Sequence, residues 1–158
     1  MNNNSVDQET YVYFKELEQT RNIKILDYLK GFNFAAINNF AVRIAKGEIL
    51  LFLNNDTEVI SKEWLPAMLE HVQRKEVGAV GCKLLYPDKT VQHAGVILGI
   101  DYACGKVSIA EHSPKYIPYT NYGYFGKVGM IHNLSAVTAA CMMLRRDCLL
   151  YTSPSPRD

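Results

Sequence analysis

Apolar positions recur along this chain with two different periods, and each change of period marks an element. Tyr11, Phe14 and Leu17 fall at helical spacing, with Ser5 and Gln8 at capping-box separation ahead of them, which predicts a helix close to the first residue. A short apolar run, IKIL at residues 23–26, predicts a strand. Asn33 is placed to cap a second helix whose apolar face carries Phe34, Ile37, Ala41 and Ile44, with Gly47 at a left-handed C-terminal position. The run EILLFL at 48–53 reads as a buried strand that stops at Asn54-Asn55-Asp56. Ser61 can cap a third helix bearing Leu65, Met68, Leu69 and Val72. Pro66 fits there if the helix starts as late as Glu63, because the first four amides have no partner inside a helix.

In the second half, VGAVGCKLL at 77–85 and VQHAGVILGI at 91–100 predict extended segments separated by a Pro87-Asp88 turn. Residues 101–127 read as an irregular, Gly- and Tyr-rich loop, a length that points to function or mobility. NLSAVTAACMML at 133–144 predicts a buried strand ended by Arg145-Arg146. Helices alternating with short strands in the first half predict an α/β fold with crossover units and a parallel sheet. In such sheets ligands bind beyond the carboxyl ends of the strands, where the 54–56 turn belongs.

Composition narrows the classes. A chain of 158 residues has room for one domain with a core, and 48% hydrophobic with 21% charged residues is ordinary for a soluble protein. Seventeen basic and sixteen acidic residues give a net charge of +1 without a basic stripe, so nucleic acid is not an expected partner. No apolar run approaches the roughly 20 residues that span a bilayer, and MNNNSVDQE is too polar for a signal peptide, so a soluble, cytoplasmic chain is expected. Cys82, Cys104, Cys141 and Cys148 form no CxxC pair, which favours free thiols over disulfides or zinc.

Asp56 is the candidate metal ligand. A carboxylate at a strand's carboxyl end suits Mg²⁺ or Mn²⁺, because hard cations take oxygen donors and share them with phosphates. Asn54 and Asn55 would add hydrogen bonds to phosphate or sugar without adding charge, although Asn and Asp also favour turns for backbone reasons alone. Glu58 reads as solvated, and His93 as a lone histidine in an apolar run. His71, His112 and His132 show no partner in the sequence.

The segments NNNSVDQET, GFNFAAINNFAVRIAKGEILLFLNNDTEVISKEWLPAML, VGAVGCKLLYPDKTVQHAGVILGI, GYFGKVG and NLSAVTAACMMLRR stand in the order found in family 2 glycosyltransferases. The sequence resembles in particular the bacterial enzymes of cell-surface polysaccharide and O-antigen assembly. That resemblance implies a GT-A fold, a Rossmann-like sheet in which an Asp-x-Asp motif binds a divalent cation, Mn²⁺ or Mg²⁺, and the diphosphate of a nucleotide-diphospho-sugar donor. The last carboxylate of the motif falls on Asp56, and its first acidic position on Asn54. The acidic nucleotide-contacting stretch falls on Asn2 and Asn3, again as amides, and a helix asparagine on Asn38. His93 falls in the sugar and acceptor region. The implied activity is inverting hexosyl or deoxyhexosyl transfer to a glycan or lipid-linked glycan. Peripheral association of the parent protein with the inner face of the membrane is compatible with it.

The resemblance also implies an Asp or Glu base after a Gly-Gly-Phe type segment beyond Arg146. The string CLLYTSPSPRD at 148–158 stands there instead, and it resembles the translation of a transposase adapter used in sequencing libraries. The expectation is therefore a partial GT-A domain over 1–147, incomplete at both ends, inactive alone, followed by a non-native tail. Two other readings remain. A haloacid-dehalogenase-like phosphohydrolase would need a nucleophilic carboxylate where Asn54 stands; a non-catalytic nucleotide-sugar-binding or scaffold domain would need none.

Overall fold

The computed structural model describes residues 1–20, 22–102 and 106–152. Cys104 and residues 153–158 of the expected tail lie outside them. Two compact units divide the described residues, one built on Met1–Gly47 and the other on Glu48–Tyr151.

The first unit carries α1 (Gln8–Glu18) and α2 (Phe34–Ile44). The capping box expected at Ser5 does not form: Asp7 caps α1 instead, its carboxylate accepting from the Thr10 N–H at 3.0 Å. A charged oxygen close to the orphan amides is the better acceptor. Asn33 caps α2 as its side chain predicts, accepting from the Ala36 N–H at 3.0 Å. The helix ends on Ala45, in extended backbone, so the left-handed Gly47 expected there is not used. The IKIL run does not become a strand. Its end is instead held by a single parallel bridge in which Asn2 donates to the Leu26 carbonyl and accepts from the Tyr28 N–H, both at 2.8 Å.

The second unit is built on a three-stranded sheet of β1 (Ile49–Leu53), β2 (Ala79–Gly81) and β7 (Cys141–Arg145) in the order β1-β7-β2. Helix α3 (Trp64–Val72) joins β1 to β2 and begins late enough that Pro66 falls in its first turn. Ser61 does not supply a side-chain cap; Glu63 is the cap residue and makes no such bond. Because β1 and β2 both run antiparallel to β7, they are parallel to each other, as a helical crossover requires. The parallel sheet expected from the sequence holds for the β1 and β2 directions and is corrected by β7, which enters between them in the opposite sense.

Register explains the core. Leu51 and Val80 are both partners of Met143, and with Met68, Val72, Trp64 and Cys141 they form the apolar cluster between sheet and helix. On the opposite face Leu50 pairs with Leu144, and both are buried. Burial of apolar surface at roughly 25 cal/mol per Å² drives this packing. Cys82 lies at the same cluster, where burial, aided by Cys141, pushes its thiol up to about 12 and keeps it protonated. Cys82, Cys141 and Cys148 are not in disulfides.

Two hairpins complete the unit: β3 (Leu84–Leu85) with β4 (Val91–His93), and β5 (Val96–Tyr102) with β6 (Lys106–His112). The expected 77–85 strand is broken into β2 and β3, and the expected 91–100 strand into β4 and β5. Lys89 takes a left-handed φ of 64° in the Pro87-Asp88 turn, where the Asp88 carboxylate accepts from the N–H and hydroxyl of Thr90. These bonds hold the Asp88 carboxyl below its ordinary range. The loop expected over 101–127 is corrected in part: β6 occupies 106–112, paired along β5. A 3₁₀ segment spans Tyr124–Gly129, and α4 spans Arg146–Thr152, across the boundary expected at Asp147.

Candidate functional site

Strand β1 delivers its carboxyl end to the 54–56 turn, and two hydrogen bonds fix that turn. The Asn54 N–H donates to the Ala140 carbonyl at 2.9 Å, just ahead of β7, and the Thr57 hydroxyl donates to the Asn54 carbonyl at 2.8 Å. Both use Asn54 backbone atoms, so its side chain is not needed for the turn. Asn54, Asn55 and Asp56 are exposed, as is Glu58. Exposed apolar side chains border them: Leu53 at the strand end, then Val59 and Ile60. β1 and β2 run in the same direction, so the turn lies at the edge where crossover folds gather ligands.

As a cation site, the turn provides one carboxylate and two amide oxygens. Among the described residues no three His, Cys, Asp or Glu side chains converge as a metal cage. This donor set fits a hard cation only where a ligand's own oxygens complete the shell, the arrangement usual for Mg²⁺ and phosphates.

Asn2, Asn3 and Asn38 belong to the first unit, and each amide is engaged by the chain itself. Buried Asn2 donates from Nδ2 to the Asp27 carboxylate at 2.8 Å and accepts at Oδ1 from the Ser5 N–H at 3.1 Å. Asn3 Nδ2 donates to the carbonyls of Tyr28 at 2.7 Å and Lys30 at 2.9 Å. Asn38 donates back one helical turn to the Phe34 carbonyl at 2.8 Å. Asp27 is the exposed carboxylate of this group, and it was legible by the signal that singled out Asp56: an acid ending an apolar run.

His93 lies in the interior of the second unit, only 2% exposed, with its Nδ1 3.0 Å from Nδ1 of His112. Burial first, and the neighbouring His112 second, lower its pKa to about 4, so it is neutral at pH 7. His112, which shows no partner in the sequence, is thus paired, across the turn from β4 to the end of β6. His132 is exposed, with Nδ1 3.0 Å from the Met130 carbonyl.

With this geometry in place, comparison with known proteins decides the family. The sequence matches Glycosyl transferase family 2 over residues 1–150. The chain belongs to that family. It is 43% identical over 148 residues to the O-antigen biosynthesis protein RfbC of Myxococcus xanthus, covering 93% of this chain and 11% of that protein. It is 39% identical over 148 residues to a protein of Sinorhizobium fredii (strain NBRC 101917 / NGR234) described as uncharacterized protein y4gI, covering 93% of this chain and 16% of that protein. The chain thus spans well under a fifth of the length of these relatives. No solved structure matches significantly.

Family 2 membership implies the GT-A fold, and the crossover β1-α3-β2 with its inserted antiparallel β7 is the α/β core through which this chain expresses it. The phosphohydrolase alternative falls away with that assignment. Among the described residues, no helix is long and apolar enough to cross a membrane.

Proposed function

We propose that this domain binds a nucleotide-diphospho-sugar at the 54–56 turn and serves an inverting glycosyltransferase of cell-surface glycan synthesis. The observation that carries this is the exposed Asp56, placed at the carboxyl end of β1 in a family 2 chain. Asp56 would hold a divalent cation jointly with the donor diphosphate, with Asn54 and Asn55 beside it. Such a cation neutralises charge on the departing diphosphate. The acceptor is a glycan or lipid-linked glycan, and a lipid-linked acceptor would bring the parent protein to the inner face of the membrane. Deprotonation of the acceptor hydroxyl calls for an Asp or Glu base, and residues 148–158 are proposed to be non-native.

Calorimetric titration of the chain with a panel of nucleoside diphosphates, with and without Mn²⁺, tests the reading. At least one should bind in an Mn²⁺-dependent manner and lose binding in Asp56→Ala. Binding indifferent to both the ion and Asp56 would sink it.

A second reading, a non-catalytic nucleotide-sugar-binding or scaffold module, is favoured by Asn2 and Asn3. Their amide donors are directed at Asp27, Tyr28 and Lys30, which makes them staples of the first unit. Asn2→Ala and Asn3→Ala separate the two roles: staples lower the melting temperature, whereas ligand contacts weaken nucleotide binding at unchanged stability.

A further inference from the structure

Residues 116–125, YIPYTNYGYF, contain five aromatic side chains and no charged one. Folding normally hides such rings, yet Tyr116, Tyr119, Tyr122, Tyr124 and Phe125 are all exposed, Tyr124 at 79% and Phe125 at 77%. Their display is built into the backbone. Tyr116 and Phe125 take left-handed φ values of 62° and 51°, a conformation that bulky side chains seldom adopt and that in folded proteins concentrates at ligand clamps.

The surrounding hydrogen bonds hold that backbone in place. The Tyr116 N–H donates to the Val91 carbonyl and the Val91 N–H to the Ile117 carbonyl, both at 2.8 Å, which laces the loop to β4. The Tyr119 N–H donates to the Lys89 carbonyl at 3.0 Å, and Lys83 Nζ donates to the Tyr119 carbonyl at 3.2 Å. Further on, the Val128 N–H closes on the Tyr122 carbonyl at 2.9 Å, and the Tyr122 ring occupies the place a Cβ on Gly129 would need. Two aromatic pairs result: Tyr86 stacks on Tyr116 with planes 3° apart, and Tyr124 meets Phe125 edge to face with centroids 4.5 Å apart.

Rigid aromatics with polar tips give large contact area at little entropic cost. Their flat faces suit the C–H faces of sugar rings, and the tyrosine hydroxyls, Thr120 and Asn121 suit sugar hydroxyls. The stretch carries no charged side chain of its own, and the neighbouring Lys83 ammonium is engaged at the Tyr119 carbonyl, so its rings and hydroxyls suit a neutral sugar better than a phosphate. We infer that the aromatic loop at 116–125 is the docking surface for a neutral oligosaccharide acceptor. This rests on the transferase reading above.

Affinity electrophoresis of the chain through gels holding soluble, lipid-free bacterial O-polysaccharides tests it, alongside the Mn²⁺ and nucleoside diphosphate titration. At least one polysaccharide should retard the wild type, and Tyr124→Ala with Phe125→Ala should weaken retardation tenfold or more while nucleotide binding is unchanged. Tyr119→Ala is the second variant if the double variant melts early, and Tyr13→Ala, an exposed aromatic of the first unit, is the control. Retardation equal in wild type and variants overturns the inference, and so does retardation by no polysaccharide while nucleotide still binds; in both cases the donor reading survives. Loss of nucleotide binding with aromatic-dependent retardation leaves the glycan surface standing and removes the donor reading. Aromatic-dependent binding to phosphatidylglycerol vesicles, or aromatic-dependent dimerisation, in place of retardation also overturns it.

Discussion

His93 and His112 face each other through their Nδ1 atoms at 3.0 Å, so one ring must donate the proton that the other accepts. A proton on both Nδ1 atoms would break that bond and leave a cation at a buried position. His93 therefore stays neutral in the fold down to a pKa of about 4, whereas an unfolded histidine titrates near 6.5. Between those values the unfolded chain binds more protons, so stability falls as pH drops from about 6.5 to about 4 and levels off below. The ceiling on this loss is on the order of 3 kcal/mol. Carboxylates titrate in the same window, so the measurement is the difference between wild type and His93→Gln in denaturant midpoints across it. The variant should show the shallower pH slope; equal slopes would show that the pair does not govern acid stability.

Arg145 closes the end of α3. Its Nη1 donates to the carbonyls of Val72 at 3.0 Å, Arg74 at 2.7 Å and Val77 at 2.9 Å, and its Nη2 to the Lys75 carbonyl at 3.2 Å. Val72 ends α3 and the other three carbonyls lie in the turn that follows it, and a planar fork reaches several of them at once. Its ion pair with Asp147, 3.2 Å long and exposed on the carboxylate side, adds little by comparison. Arg145→Met should therefore cost about 2–3 kcal/mol in chemical denaturation, and Asp147→Asn under about 0.5 kcal/mol. Arg145→Lys, with one ammonium for four carbonyls, should recover less than half. Equal losses from Arg145→Met and Asp147→Asn would show the ion pair to be the stabilising contact.

The parts legible in the sequence are those governed by local chemistry. Asn33 caps α2 because its side chain sits next to the amide it satisfies, and β1 stops where apolar residues give way to amides. The β1-α3-β2 crossover also follows from element order. What the sequence hid depends on distant partners. β7 inserts antiparallel because it returns after two hairpins, a placement no local period encodes. β6 was missed although Val107 and Ile109 alternate with polar neighbours, because the Gly- and Tyr-rich residues around KVSIAEH gave the whole of 101–127 the look of a loop; its partner along the ladder is β5. His112 looked unpartnered because His93 is nineteen positions away. Asp56 was visible as an acid ending an apolar run, and the same signal at Asp27 went unread.

With Asp56 proposed as the cation ligand, Asn54 is the position in the same turn where a second carboxylate could join it. Because the turn is held by Asn54 backbone atoms, Asn54→Asp changes the charge presented without loosening the backbone. Affinity for a hard cation rises with the number of carboxylates offered. Mn²⁺-dependent nucleoside diphosphate binding should tighten about tenfold in Asn54→Asp, equivalent to about 1.4 kcal/mol, with the melting temperature unchanged. Binding that is unaltered or weaker in calorimetry would mean that position 54 does not face the cation.

Gly95 and Gly81 resist a side chain for different reasons, and their rescue variants tell the reasons apart. At Gly95 a Cβ would lie 2.7 Å from a methyl of Leu134, but φ is also +140°, a region that L residues rarely enter. Leu134 is partly exposed and its methyls can swing aside, so the backbone accounts for most of the cost, about 1–3 kcal/mol for Gly95→Ala. Adding Leu134→Ala should recover little of it. At Gly81, in β2 and in register with Met142, φ is not positive and the obstacle is Val137 Cβ itself at 2.7 Å. Val137→Ala keeps that atom, so it should not rescue Gly81→Ala, whereas Val137→Gly should restore much of the loss relative to its own single-variant background. Denaturant midpoints of the two double-mutant cycles read this directly. Full rescue of Gly95→Ala by Leu134→Ala would place the cost in packing and not in the backbone.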